Sequence, residues 1–204
     1  MYAPRPIISM LSDPPPAEII SPGLVKEYIG HDPDTDAEQD NVLPVLIQAA
    51  IDQGQQITGI VWAAAAYRID GICPAWPGAG FLLPLSPVFS VDEIVGKDSS
   101  GADVDVLPFA YSLIPSGIEF GFPWAELLPL DAWPEQAVFF SVTCTAGWTA
   151  ETLPKSLRSW ALVRIASMYD YRSDLVTGTI SASLPRHHSN GLLDRWTVRG
   201  FPDG

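Results

Sequence analysis

Two segments near the amino terminus show the hydrophobic periodicity of amphipathic helices. Ser21 and Pro22 combine an N-cap residue with proline at the first helical position, which predicts a short helix over residues 22–29 that ends at Gly30. A second helix is predicted over residues 41–57, where leucine, isoleucine and alanine recur at three- and four-residue steps. Pro44 is compatible with this helix because it lies in the first turn.

From about residue 60 to 146 the apolar segments become short, rich in β-branched and aromatic residues, and separated by prolines and glycines. This pattern indicates strands. The predicted strands are residues 61–69, 80–85, 88–95, 104–107, 110–114, 118–122 and 137–145. Hairpin-turn residues fill Lys97 to Asp103, and a second tight turn is predicted at Pro115 to Gly117.

A third helix is predicted over residues 154–172, with an apolar core face along one side. Residues 1–20 are rich in proline and predict an extended arm, and residues 176–204 predict a carboxy-terminal arm. The expected class is therefore α+β. Helices from the amino-terminal third and the carboxy-terminal quarter form a small helical bundle, a β-rich region at about 60–146 is inserted in it, and residues 21–175 make up the core.

The composition favours a protein that assembles with copies of itself. Of 204 residues, 47% are hydrophobic and only 17% are charged, so little charge is left to cover the surface. A sparsely charged, apolar surface is expected of an obligate oligomer. Neither a signal peptide nor an apolar run of membrane-span length is present in the sequence, so we expect a soluble, cytoplasmic protein with no membrane partner.

The charge is unevenly distributed along the chain. Residues before Leu153 include 4 basic and 20 acidic side chains, whereas those after it include 7 basic and 4 acidic ones. The formal net charge of −13 argues against a protein that coats DNA. The basic carboxy-terminal quarter predicts an acidic partner surface there, although a solvated basic helix face with a frayed tail explains the same residues.

No motif supports catalysis or a cofactor. Asp32, Asp34 and Asp36 begin like a calcium loop, but glycine and glutamate are missing from the positions an EF-hand requires. His187 and His188 have no ligands at metal-binding spacing. Distant acids such as Asp70 and Glu119 could meet as a glycosidase pair, which any acidic chain permits. We therefore expect no catalytic residues, no metal, no cofactor and no enzymatic activity.

The seven tryptophans and two cysteines divide between core and candidate interface. Trp62, Trp148 and Trp160 are assigned to the core. Trp76, Trp124 and Trp133 lie beside prolines in predicted loops, which favours contacts between subunits, and Trp196 lies in the basic tail. Cys73 and Cys144 are expected to be buried thiols, with one disulfide between them as the alternative.

The order of these segments resembles the head-to-tail connector, or adaptor, proteins of tailed bacteriophages. The resemblance covers residues 21–175. It is carried by the leading Leu24-Val25-Lys26-Glu27-Tyr28-Ile29 helix, the acidic loop, the Leu43 to Thr58 helix, Leu83 to Val88, Val91 to Val95, the Val142-Thr143-Cys144-Thr145-Ala146-Gly147-Trp148 turn before Leu153-Pro154, and the helix that ends in Met168-Tyr169-Asp170-Tyr171-Arg172. The proline-rich arm and residues 120–136 depart from it.

The resemblance implies a structural, non-enzymatic virion protein, made in the host bacterial cytoplasm and located in the neck at the portal vertex of the capsid. It implies a ring, of about twelve copies, that docks on the portal protein through the carboxy-terminal arm and presents its other face to a stopper or tail-completion protein. Expected portal contacts are Arg186, Leu192, Leu193, Arg195, Trp196, Arg199 and Phe201. Expected intersubunit or neck contacts are Trp76, Trp124, Trp133, Lys155 and Arg158.

The acidic body fits a channel through which double-stranded DNA passes without sequence-specific binding, because carboxylates would not hold phosphates. Two alternatives remain. One is a carbohydrate-binding or glycan-degrading β-module of a phage tail, suggested by the tryptophans and carboxylates. The other is a different neck protein, such as a stopper or tail-completion factor.

Overall fold

The structure, a computed structural model, describes residues 6–12, 19–30, 42–106, 110–118, 121–170 and 191–198. These residues form three α-helices and two antiparallel sheets, which confirms the predicted α+β class. The elements in chain order are β1 (Ile7–Met10), α1 (Pro22–Ile29), α2 (Leu43–Thr58), β2 (Ala65–Ile72), β3 (Phe81–Leu82), β4 (Val88–Lys97), β5 (Asp103–Asp105), β6 (Tyr111–Ile114), β7 (Glu126–Pro129), β8 (Phe139–Ala146), α3 (Lys155–Asp170) and a short 3₁₀ helix, Asp194–Trp196.

The chain divides into two compact units. The described parts of Met1–Pro14 and Ala64–Gly147 form a sheet unit, and those of Pro15–Ala63 and Trp148–Arg199 form a helical unit. Most of the sheet unit, Ala64–Gly147, lies in the chain between α2 and α3, and β1 joins it from the segment before α1.

The caps predicted for α1 are present in the helical unit. The Leu24 backbone N–H donates to Ser21 Oγ at 3.3 Å, Pro22 lies in the first turn, and Gly30 ends the helix with a φ of 79°. Helix α2 likewise ends at Gly59, whose φ is 70°. Helix α2 packs against α1 and α3, and α3 also contacts α1, so the three helices bury their apolar faces against one another.

The sheet unit contains a five-stranded and a three-stranded sheet. The five-stranded sheet has the order β1-β2-β8-β4-β5, and the three-stranded sheet has the order β3-β7-β6. Strand β8 lies at the centre of the larger sheet, and its Phe140, Val142 and Cys144 are buried. The Phe81, Trp133 and Phe140 rings pack together, with centroids 5.0 to 5.7 Å apart. This aromatic cluster is part of the unit's core.

The turn predicted between β4 and β5 is confirmed. Lys97 pairs with Asp103 across the hairpin, and Asp98 Oδ1 accepts hydrogen bonds from the backbone N–H groups of Ser100 and Ala102 at 2.8 and 2.9 Å. Asp98 thus folds the turn by bonding backbone groups a few residues ahead of it.

One predicted strand is incorrect, and two strands of the structure were not predicted. The prediction of a strand at 118–122 was wrong for its described residues, because Gly117 and Phe122 instead close a tight loop through two backbone hydrogen bonds of 2.6 and 3.1 Å. Strands β1 and β7 were not predicted. Both are short, and pairing rather than a local pattern defines them: β1 pairs with β2, and β7 pairs with the preceding β6 and with the distant β3.

Candidate interaction surfaces

The carboxy-terminal segment 191–198 packs on the helical unit. The Trp196 ring meets Trp148 edge to face with centroids 5.7 Å apart, and Trp196 Nε1 donates to Ser156 Oγ at 2.7 Å. The Val198 backbone N–H donates to the Thr58 carbonyl at 2.7 Å. An aromatic contact and two hydrogen bonds therefore hold the carboxy-terminal end of this segment, Trp196 to Val198, on the helical unit.

These contacts distinguish among the residues expected to meet the portal. Leu193 and Trp196 are only 1% and 5% exposed, so they are core residues of the helical unit. Leu192 is half-buried and Arg195 is exposed. The other three predicted contacts, Arg186, Arg199 and Phe201, lie outside the described residues. A partner could reach Leu193 and Trp196 only if the segment left the helical unit.

The residues expected at intersubunit contacts also differ in exposure. Trp76 is 64% exposed, Lys155 is exposed, and Trp124 and Arg158 are half-buried. Trp133 is 3% exposed, and its Nε1 donates to the Ala79 carbonyl at 2.7 Å. Contact of Trp133 with another subunit would require the aromatic cluster to open.

Arg158 is held in the helical unit by its own guanidinium. One terminal nitrogen donates to the Ala150 carbonyl, whereas Nε is buried without a hydrogen-bond partner. Part of the Arg158 side chain therefore positions the turn before α3.

All seven tryptophans lie in described residues, and five of them are buried: Trp62, Trp133, Trp148, Trp160 and Trp196. This confirms the core assignment of Trp62, Trp148 and Trp160. A sugar-stacking platform needs exposed ring faces, and among these side chains Trp76 alone is largely exposed.

The two cysteines are in different environments, and neither forms a disulfide. Cys144 is buried as expected, and burial, with a smaller effect from the charge of Asp92, raises the pKa of its thiol to about 12. Cys73 is exposed, so the expectation that it is buried was wrong. It lies in the loop that follows the last residue of β2, where its backbone leaves the sheet.

Asp70 is held in its ionised form on the larger sheet. Burial opposes ionisation, but hydrogen bonds from Ser141 and Arg68, together with the charges of Arg68 and Lys97, keep the pKa of Asp70 below its ordinary value. A general acid needs the opposite shift, so this environment does not suit Asp70 to that role. The proposed glycosidase partner, Glu119, lies outside the described residues.

The described ranges contain no cluster of three or more histidine, cysteine, aspartate or glutamate residues that could hold a metal ion. The calcium-like Asp32 to Asp36 and the His187-His188 pair lie outside those ranges. None of the described helices has the length and hydrophobicity needed to cross a membrane.

A surface that the sequence patterns did not reveal lies along β1. Its apolar side chains are exposed, from 43% at Ile8 to 66% at Ile7, and Leu11 just after the strand is 56% exposed. Soluble monomers protect edge strands with charges, prolines or bulges, and β1 has no charged residue. Its uncharged Ile-Ile-Ser-Met sequence is the signal that could have indicated this surface.

Comparisons with known proteins show that this chain is similar in fold to chains of gene transfer agent particles. No protein-family profile and no curated protein sequence matches the chain. Among solved structures, a chain in the neck of an empty gene transfer agent (GTA) particle, computed with C6 symmetry, is similar with a TM-score of 0.72 and 19% identity. A chain in the virion of the native GTA particle has a TM-score of 0.69 and 20% identity.

A third similar chain lies in the neck of the native GTA particle computed with C12 symmetry, with a TM-score of 0.65 and 20% identity. Each of the three alignments covers 97% of this chain and 98% of the other. The chain thus has the fold of these GTA proteins over nearly its whole length, including both the sheet unit and the helical unit.

Proposed function

We propose that this protein is a structural component of the neck of a phage-like particle. The observation that carries the proposal is the fold similarity, at a TM-score of 0.72 over 97% of the chain, to a chain in the neck of a GTA particle. A match over both units supports a shared assembly role more strongly than a match of one sheet would. The sequence resemblance to phage connectors supports the same role independently.

In this proposal the protein forms a closed ring of about twelve copies. The similar chains lie in necks computed with sixfold and twelvefold symmetry. A ring requires a heterologous interface, in which two different patches of one subunit meet on neighbouring copies. The sparse charge and the exposed apolar side chains of β1 fit a surface that another subunit covers.

The specific role we propose is that of the connector, which docks on the portal protein and meets a stopper or tail-completion protein on its other face. The basic carboxy-terminal quarter supports docking on an acidic portal surface. Because Leu193 and Trp196 are buried, we assign the portal contact to the exposed Arg195 and to Arg199 and Phe201 beyond the segment.

Passing DNA is the remaining partner that we propose. Carboxylates on the ring's inner wall would leave the duplex free to slide, because binding to DNA requires neutralisation of its phosphates. The sheet unit supplies exposed acids such as Asp92, Glu93, Asp103, Asp105 and Asp131. A lumen lined by Arg and Lys instead would contradict this part of the proposal.

The alternative of a glycan-binding β-module has weaker support, because five of the seven tryptophans are buried. A stopper or tail-completion role differs from the connector role in the partner that is bound. Co-purification with the portal protein of the same particle separates the two.

The experiment measures portal binding by two altered proteins and by the wild type. One carries Arg195→Glu, which reverses the charge, and the other ends at Val198. Each should reduce portal binding by tenfold or more while circular dichroism and the unfolding midpoint stay near those of the wild type. Arg195→Lys keeps the charge and is the matched control, which should bind. Full portal binding by both altered proteins would refute the assigned contact, and absence of binding by the wild type would refute the connector role.

A further inference from the structure

We propose that neighbouring copies of this protein join through their sheet edges, with β1 of one copy paired antiparallel to β6 of the next. The inference rests on the ring assembly proposed above and specifies which two surfaces meet. Main-chain hydrogen bonds between copies would extend a sheet across the subunit boundary.

Hydrogen bonds within the sheet unit define which backbone groups of β1 face outward. The Leu11 backbone N–H donates to the Ala66 carbonyl at 2.8 Å, and Ser9 is registered with Arg68. Hydrogen-bonded and non-hydrogen-bonded pairs alternate along an antiparallel ladder. The backbone N–H and C=O groups of the odd-numbered residues of β1 therefore form hydrogen bonds with β2. The backbone groups of Ile8 and Met10 therefore point away from the sheet, where no described strand pairs with them.

The same reasoning applies to β6, an outer strand of the smaller sheet. The Leu130 backbone N–H donates to the Ala110 carbonyl at 2.8 Å, and Ser112 is registered with Leu128. The even-numbered residues of β6 are therefore bonded to β7. The backbone groups of Tyr111 and Leu113 face the unpaired side.

One antiparallel register pairs all of these outward-facing groups. It places Ile8 opposite Leu113 and Met10 opposite Tyr111, as two hydrogen-bonded pairs. The intervening pair is then Ser9 with Ser112, and the flanking pairs are Ile7 with Ile114 and Leu11 with Ala110. Every pair in this register is apolar with apolar or serine with serine, as cross-strand neighbours prefer to be.

The exposures fit this register. Ile7 is 66% and Ile114 is 47% exposed, and Ser9 and Ser112 are both exposed. Burial of these side chains between copies would remove apolar surface from water.

The other outer strands are poor candidates for the same contact. Strand β5 is three residues long and carries Asp103 and Asp105, which is the way natural sheets protect an edge. Strand β3 has only two residues. Strands β1 and β6 are thus the two uncharged four-residue outer strands of the described chain, and they are different surfaces, as a ring interface requires.

The test is a disulfide between copies at the serine pair. Ser9→Cys and Ser112→Cys are nearly isosteric, and a non-hydrogen-bonded antiparallel pair has Cα atoms about 4.5 Å apart, within disulfide range. The background carries Cys73→Ser, because Cys73 is exposed, and retains the buried Cys144. Mild oxidation of the double variant should convert most of the monomer into a ladder of covalent oligomers on a denaturing gel.

Two double-cysteine variants serve as controls that should not cross-link. Ser9→Cys with Leu113→Cys moves one cysteine to the opposite face of the strand, and Ser9→Cys with Asp103→Cys addresses the β5 edge. Both should remain monomeric on the same gel. Cross-linking of Ser9→Cys alone into dimers would mean that two β1 strands pair with each other, which overturns the proposal.

Electron microscopy of the same samples separates this inference from the proposed function. Rings without a β1 to β6 cross-link would overturn the edge pairing and leave the ring intact. A cross-linked ladder without rings would support the edge pairing and contradict the closed ring. Monomers without either product would contradict both.

Discussion

The indole ring of Trp62 lies directly against the backbone of Gly54 in α2. A Cβ atom placed on Gly54 would lie 2.3 Å from Cη2 of that ring. The ring is fully buried, meets Trp160 edge to face with centroids 5.7 Å apart, and donates from Nε1 to Thr58 Oγ1 at 3.1 Å. The absence of a side chain at Gly54 thus allows a fully buried tryptophan of the helical unit to pack against α2.

Gly54→Ala should therefore destabilise the protein, although alanine is the better helix former by about 1 kcal/mol. Overpacking in a core costs about 1–3 kcal/mol, and the held Trp62 ring has little freedom to move away. Denaturant unfolding followed by tryptophan fluorescence measures the change. Gly23→Ala is the matched control, since no atom lies within 4 Å of a Cβ at that helical position. A Gly54→Ala protein more stable than the wild type would contradict this packing.

Trp196→Ala should destabilise the helical unit by about 3–5 kcal/mol, the usual cost of removing a buried tryptophan. Trp196→Phe keeps a ring beside Trp148 but loses the 2.7 Å hydrogen bond to Ser156, so a loss of roughly 1 kcal/mol is expected. Thermal and denaturant unfolding give both values. Arg195→Ala, at an exposed neighbour, should change stability much less than Trp196→Ala. Equal stability of all three variants would mean that the segment does not pack on the helices.

The helical segments were largely predictable because their signals are local. Ser21, Pro22 and Gly30 define α1 through a side-chain hydrogen bond, a fixed φ and a left-handed cap within a few residues. The edge strand β1 had no such local signal, because all four of its residues are exposed and only pairing with β2 makes it a strand. The burial of Trp133 was unpredictable for the same reason, since its ring partner Phe81 and the Ala79 carbonyl that accepts its hydrogen bond lie more than fifty residues earlier in the chain.

Asp70 should stabilise the folded protein at neutral pH and lose that effect in acid. Its folded-state pKa lies below the ordinary 3.8, so its contribution is present above that pH and is lost as the pH falls through the folded value. Asp70→Asn should therefore lower the unfolding free energy at pH 7 and differ little from the wild type near pH 2. Equilibrium unfolding across this pH range measures the difference.

Ser141→Ala removes a hydrogen-bond donor to Asp70 and should move the pKa of Asp70 up towards its ordinary value. NMR titration of the carboxyl group follows this shift. A stability difference between wild type and Asp70→Asn that grows as the pH falls would contradict the assigned cause.

The two thiols should differ sharply in reactivity. Cys73 is exposed, although partial burial raises the pKa of its thiol, whereas Cys144 is buried with a thiol pKa of about 12, so the native protein at pH 8 should react at Cys73 alone. An aromatic disulfide reagent should thus release one equivalent of its chromophore from native protein and two after denaturation. Cys73→Ser should release none in the native state. Rapid release of two equivalents from the native wild type would place Cys144 at the surface.

The neck assignment is tested most directly by electron microscopy of the purified protein, alone and mixed with the portal protein of the same particle. The neck assignment predicts closed rings with central channels, stacked coaxially on portal rings in the mixture. Monomers that stay separate from portals under conditions in which the portal itself forms rings would contradict it.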